Sequence, residues 1–323
     1  MNSCLQYSAA ERLRATRIEE ISLKPAGLYR RMVYPMKNIG PRILPILAIA
    51  LLSCASGHHE PFVEDPPISR DLDAFAARLQ SLCDGSPLLE LERAGEVEYH
   101  GFSTPIWVVR YRPSGAERRV LITGGVHGNE PAGCAWVGQL VERIAERPRL
   151  YADSDLDLVP LVNPWGWSHD VRYNRDGKDI NRDFASFETQ EARILESLFV
   201  PMEYDLVIDH HEDPDAGGFY LYQYAKRDTT LSRQVIREIR SLGYPIEQDV
   251  RMVILRTRDG LIDAPRWGLR YMRLTGQLSI TNYLRLEGCQ EVYTIETPTH
   301  LPTEDRLRMH RTAFELIFSG LIE

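Results

Sequence analysis

Apolar positions along the chain change period from segment to segment, and the changes mark out its elements. Leu72, Phe75, Leu79 and Leu82 fall on one helical face behind Asp71, which predicts a capped helix over 71–83. Residues 96–111 read as two strands about a turn at 101–105, the second running through Ile106-Trp107-Val108-Val109. Val120-Leu121-Ile122 is a short apolar run of the kind a buried strand shows, and 132–147 reads as the helix after it. A strand over 156–162 follows, then an irregular stretch over 163–186, long enough in a compact domain to point to function. Beyond it come a helix (187–199), a strand (205–208) ending at Asp209-His210-His211, a strand (218–224) and a helix (229–242). A strand (252–255), a helix (277–286), a strand (291–297) and a closing helix (303–318) complete the series. Strands alternating with helices predict an α/β fold on a largely parallel sheet. There is no internal repeat and no low-complexity segment.

Charge divides the chain. The first 53 residues hold eight Lys or Arg against three acids, so of the net −8 about −13 falls on the remaining 270. A body that acidic is a poor partner for nucleic acid, and its aromatics do not interleave with basic runs. Cysteines at 4, 54, 83, 134 and 289 have no C-x-x-C spacing, so neither a disulfide framework nor a cysteine metal site is expected. Residues 1–53 read as a leader. Lys37 and Arg42 precede the apolar run Ile43–Leu52, which is too short to span a bilayer and has the form of a secretory signal. Met32 or Met36 is a plausible true start. Leu51-Leu52-Ser53-Cys54 resembles a bacterial lipobox, which implies cleavage before Cys54, a lipid on its thiol and a location in the cell envelope. An ordinary cleaved signal is the alternative. Residues 54–70 read as a tether and 71–323 as one catalytic domain.

Chemistry-bearing residues lie at the strand ends. In Gly124-Gly125-Val126-His127-Gly128-Asn129-Glu130, the glycines allow a sharp strand-to-helix turn that brings an imidazole and a carboxylate together. That pair suits Zn²⁺. His211, at the end of a buried strand, is a third candidate ligand and would leave one position open; its neighbour His210 competes with it. Strand alternation sends the two to opposite faces, so both cannot serve. The 163–186 stretch carries Arg172-Tyr173-Asn174-Arg175 and Asp179-Ile180-Asn181-Arg182. Asn181 and Arg182 offer an amide and a planar guanidinium, a receptor for a substrate carboxylate. Glu296, among apolar strand neighbours, is costly to bury unless paired or working, and is a candidate general base.

Taken in order, His127-x-x-Glu130, Arg175, Asn181-Arg182, His211 and Glu296 resemble the zinc carboxypeptidases over roughly residues 95–320. The resemblance implies a three-layer α/β/α sandwich on a mixed, about eight-stranded sheet. It implies one zinc ion on His127, Glu130 and His211. Arg175 would face the developing oxyanion, Asn181 and Arg182 would hold the substrate's terminal carboxylate, Asp179 would orient His127, and Glu296 would act as base and then acid. Its substrate would be a peptide with a free carboxylate. Tyr271 and Tyr283 lie near where the family keeps a tyrosine over its substrate, without its surrounding motif. No residue can be assigned to the floor of the specificity pocket. The Gly-x-His-Gly-Asn-Glu form is also that of the succinylglutamate desuccinylase and aspartoacylase group, which would make the substrate an N-acyl amino acid. A non-catalytic zinc-binding envelope lipoprotein is a further alternative. No protein partner can be inferred.

Overall fold

The computed structural model describes residues 59–199, 202–224, 228–249, 251–252 and 255–320. The leader, Cys54 and the start of the expected tether lie outside the described residues. Two strands open the order, β1 (Leu89–Tyr99) and β2 (Phe102–Tyr111), after helix α1 (Leu72–Asp84). There follow β3 (Arg118–Gly124), α2 (Pro131–Glu146), β4 (Ser154–Val159), α3 (Pro164–His169), α4 (Gln190–Phe199), β5 (Leu206–Asp213) and β6 (Tyr220–Tyr224). The second half holds α5 (Thr230–Ser241), β7 (Arg251–Met252), β8 (Leu255–Arg256), β9 (Leu261–Ala264), α6 (Arg266–Leu274), α7 (Ile280–Glu287), β10 (Glu291–Pro298) and α8 (Thr303–Ser319).

Eight strands form one mixed sheet in the order β1-β2-β4-β3-β5-β10-β6-β9. Its centre is parallel, β4, β3, β5 and β10 running together, while β2 and β6 pair antiparallel at either side of that block. Central strands covered on both faces favour apolar residues at successive positions, which is why Val120-Leu121-Ile122 of β3 and Leu206-Val207-Ile208 of β5 read as unbroken runs rather than alternation. Trp136 and Leu140 of α2, Val235 of α5 and Phe314 of α8 pack on one face with Ile122 and Ile208. Leu195 of α4, Leu269 of α6 and Leu284 of α7 pack on the other with Leu121 and Val207. The fold is therefore the α/β/α sandwich that the resemblance implied. No helix of the described residues is long and apolar enough to cross a membrane.

Caps set several helix starts. Asp71 accepts the amide of Ala74 at 2.9 Å, Asn163 that of Gly166 at 2.9 Å and Ser279 that of Asn282 at 3.2 Å. The expected irregular stretch is more ordered than its composition indicated, since it holds α3 and a 3₁₀ turn at Ile180–Arg182. Strand β5 continues through the histidines to Asp213. Of the strand expected over 252–255, Met252 and Leu255 belong to the separate β7–β8 pair and not to the main sheet, and 253–254 lie outside the described residues. Neither β9 nor α6 was expected. Leu269 is the one residue that α6 buries, so the helix carries little core periodicity to read.

Candidate active site

The parallel strands β3, β5 and β10 end on one edge of the sheet, where α/β folds gather their ligands. Beyond β3, Gly125 adopts φ 63°, a left-handed turn that any side chain would strain. That turn carries His127 and Glu130 back towards β5. Gly128 lies so close to the loop that a Cβ there would strike the backbone of Gly166 and Trp167. In the sheet register Glu296 is beside His211 on the parallel neighbour and opposite Tyr220 on the antiparallel one. Adjacent strands in register point matched residues to the same face, so these three side chains converge.

His127, Glu130 and His211 are all buried, and one ligand atom from each lies within 4.8 Å of the others. Glu130 is the hinge. Its Oε1 is 2.6 Å from His127 Nδ1, and its Oε2 is 2.7 Å from His211 Nδ1 and accepts the amide of Glu212 at 3.1 Å. The opposite ring nitrogens face carboxylates. His127 Nε2 is 3.1 Å from Asp179 Oδ1, and His211 Nε2 is 2.7 Å from Asp209 Oδ2. Carboxylate–imidazole pairs of this kind fix the ring so that the other nitrogen presents a lone pair to a metal. Burial alone would raise the Glu130 carboxyl, yet the two imidazoles hold it below the ordinary range. Burial would depress His211, yet Asp209 and Glu130 raise it well above the ordinary imidazole value. The cluster thus draws positive charge, a demand that a divalent cation would meet. Two imidazoles and a carboxylate at this spacing, with a side left open, fit such an ion.

A cavity of about 190 Å³ opens on the cluster. Arg172, Asn181, Arg182 and Glu296 line it with His127 and Glu130. Arg172 donates to Asp179 Oδ2 from Nη2 at 3.0 Å and from Nε at 3.2 Å, and its Nη1 reaches Glu130 Oε1 at 3.4 Å. Asn181 is held by the amide of Ile280, which donates to its Oδ1 at 3.3 Å. Burial is the main reason that the Glu296 carboxyl lies well above its ordinary value.

The catalytic-domain pattern of the succinylglutamate desuccinylase/aspartoacylase group matches residues 116–250. Carboxypeptidase 2 of Trichophyton tonsurans is 34% identical over 105 residues, covering 31% of this chain and 20% of that protein. The probable carboxypeptidase 2 of Trichophyton verrucosum is 35% identical over 104 residues with the same coverage. The chain thus spans about a fifth of the length of the curated relatives it matches. A metallo-carboxypeptidase from Burkholderia cenocepacia superposes with a TM-score of 0.58 at 18% identity, over 79% of this chain and 70% of that one. A candidate metallopeptidase from Shewanella denitrificans does so with a TM-score of 0.65 at 23% identity, over 77% and 90%.

The chain is thus similar to the desuccinylase and aspartoacylase catalytic domain over residues 116–250 and shares its fold with metallo-carboxypeptidases. Within that fold, one expected site residue lies elsewhere. Arg175 does not line the cavity; its Nε is 2.9 Å from Asp65 Oδ1. Of the two arginines in Arg172-Tyr173-Asn174-Arg175, the one that lines the cavity, alongside Arg182, is Arg172. Loop residues have no fixed period, so the sequence held no rule for choosing between the two. His210 is buried on the other face of β5, where its Nδ1 is 3.1 Å from His310 Nδ1 and its ring lies 6.3 Å from Trp136. Tyr271 and Tyr283 are not among the lining residues. Tyr283 packs edge-on against Phe187. The lining tyrosines are Tyr220, Tyr222 and Tyr224 of β6. Their spacing of two is a signal that sequence inspection could have used, because it puts all three on one face. Asp209, behind His211, was also readable as the acid two residues before its ligand.

Proposed function

We propose that the chain is a zinc-dependent metallocarboxypeptidase that hydrolyses the C-terminal peptide bond of its substrate. One observation carries the reading: a single cavity is lined by His127 and Glu130 of the metal-competent cluster, a carboxylate of raised affinity for protons, and two arginines. A zinc ion held by His127, Glu130 and His211 would polarise the scissile carbonyl and acidify a water. Glu296 takes a proton from the attacking water and passes it to the departing nitrogen. Arg172 faces the carbonyl oxygen as negative charge grows there. Asn181 and Arg182 hold the terminal carboxylate and so select which bond is cut.

The match to the desuccinylase and aspartoacylase pattern favours a second reading, hydrolysis of an N-acyl amino acid. The lining weighs against an acidic acyl group such as succinyl: beyond Arg172 and Arg182, the described lining residues include no further Lys or Arg to pair with it. Its uncharged residues Tyr222, Tyr224, Ala264, Met272, Thr281 and Asn282 favour a neutral leaving residue.

The test is mass spectrometry of the purified protein with zinc, offered a peptide pool and a panel of N-acyl amino acids. Stepwise loss of single C-terminal residues, stopped by a chelator, is the expected result. Release of acyl groups with peptides untouched would move the chain to the deacylase reading. The envelope location and lipid on Cys54 belong to the same proposal on the strength of residues 36–54, and incorporation of labelled palmitate in a bacterial host tests them.

A further inference from the structure

The segment before α1 is laid along the loop that supplies Arg172, Asn181 and Arg182 to the cavity. At its outer end the amide of His59 donates to Gly177 O at 2.7 Å and that of Phe62 to Arg175 O at 3.3 Å. The Phe62 ring lies 4.9 Å from Trp165, and Asp65 takes the Arg175 guanidinium. The fit is close: Gly177 has φ 72°, and a Cβ on it would run into His59 O and, at 2.7 Å, Glu60 O.

The inner end bears directly on the site. The amides of Ser69 and Arg70 both donate to Ser168 O, at 2.6 and 3.1 Å. The Arg70 guanidinium then forks. Nη1 donates to Trp167 O at 2.6 Å and to Gly128 O at 3.2 Å, while Nη2 pairs with Asp170 at 2.6 Å. Gly128 lies between the candidate ligands His127 and Glu130, and its own amide donates to Arg172 O at 3.4 Å. One side chain therefore ties the turn that carries two ligands to the loop that carries Arg172, Asp179, Asn181 and Arg182. A planar, permanently charged fork can span those carbonyls; a lysine presents a single point charge.

We propose that residues 59–70 brace the active site and that Arg70 is a positioning residue, setting the ligand turn against the loop that supplies Arg172 and Asp179. The metal part of this inference rests on the zinc site proposed above; the bracing part does not. The brace also explains Arg175, which anchors it rather than facing substrate.

Two readouts test the brace in the full-length chain. The first is hydrogen exchange on metal-free protein. Arg70→Ala should speed exchange over 124–130 and 163–182 and leave α8 unchanged. Asp65→Ala should loosen mainly 173–178. Unchanged exchange over 124–130 in Arg70→Ala would overturn the proposal. The second is zinc affinity by chelator competition, with kcat and KM, well below the unfolding midpoint. Arg70→Ala should bind zinc about tenfold more weakly, as loss of an outer support to a metal ligand does. Its kcat should fall more than its KM rises. Arg70→Lys should restore the charge pair with Asp170 but less than half of the lost zinc affinity. Full rescue by lysine, or zinc affinity within about twofold of wild type in Arg70→Ala, would show a plain surface charge pair and defeat the inference. If the wild type binds no zinc, the metal reading fails and the exchange pattern still decides the brace.

Discussion

Exchanging the roles of two arginines three residues apart gives a sharp test of the site. Arg172 lines the cavity with its Nη1 towards the metal-competent cluster, and Arg175 is turned away onto Asp65. Removing one preorganised donor aimed at developing negative charge lowers kcat by about 10² to 10³, equal to roughly 2.7–4 kcal/mol of barrier. Arg172→Ala should fall in that range. It should also weaken zinc about tenfold, because Arg172 makes two hydrogen bonds to the Asp179 carboxylate behind His127. Arg175→Ala loses one ion pair near the surface, worth at most about 1 kcal/mol, so kcat should change by no more than about fivefold. The assay is steady-state hydrolysis of one peptide at saturating zinc, with zinc affinity measured separately so that metal loss is not mistaken for a slower step. A hundredfold loss in Arg175→Ala with Arg172→Ala near wild type would refute the assignment and return the oxyanion role to Arg175.

Other outcomes follow from the same geometry. His211 is raised in the metal-free protein, so zinc must displace its proton; affinity should climb by about tenfold per pH unit from pH 6 upwards, and a flat profile by competition titration would contradict that. His211→Ala should lose zinc while His210→Ala keeps it, since His210 faces Trp136 and His310 across the sheet; metal analysis of dialysed protein separates them. Gly128→Ala forces a methyl onto the Gly166–Trp167 backbone and should destabilise by about 1–3 kcal/mol in a urea titration. Burial raises the proton affinity of Glu296, so the folded metal-free protein holds that proton to higher pH than the unfolded chain. Stability should therefore fall as pH rises above the ordinary carboxylate range. Glu296→Gln removes that dependence: metal-free, it should melt higher than wild type at pH 7, with the gap closing near pH 4. Equal melting temperatures at pH 7 would count against a strained carboxylate.

Much of this protein is decided by local sequence. Asp71, Asn163 and Ser279 cap helices wherever their neighbours go, because a short oxygen-bearing side chain satisfies an exposed amide within its own turn. Unbroken apolar runs at 120–122 and 206–208 marked buried strands, and the glycines before His127 marked a sharp turn. Those signals, with the order of His127, Glu130, Asn181, Arg182, His211 and Glu296, were enough for the fold class and the candidate ligands. Other features waited on tertiary structure because they are distances between segments far apart in the chain. The sheet register, set by β3, β5 and β10 pairing together, turns His211 to Glu130 and His210 to the opposite layer. Arg172 and Arg175 differ in sequence by nothing that foretells their directions; the docked segment at 59–70 takes one and leaves the other to the cavity. That segment itself reads as a tether, being polar and rich in proline. It is placed by hydrogen bonds to loop carbonyls about a hundred residues away, which no local pattern encodes.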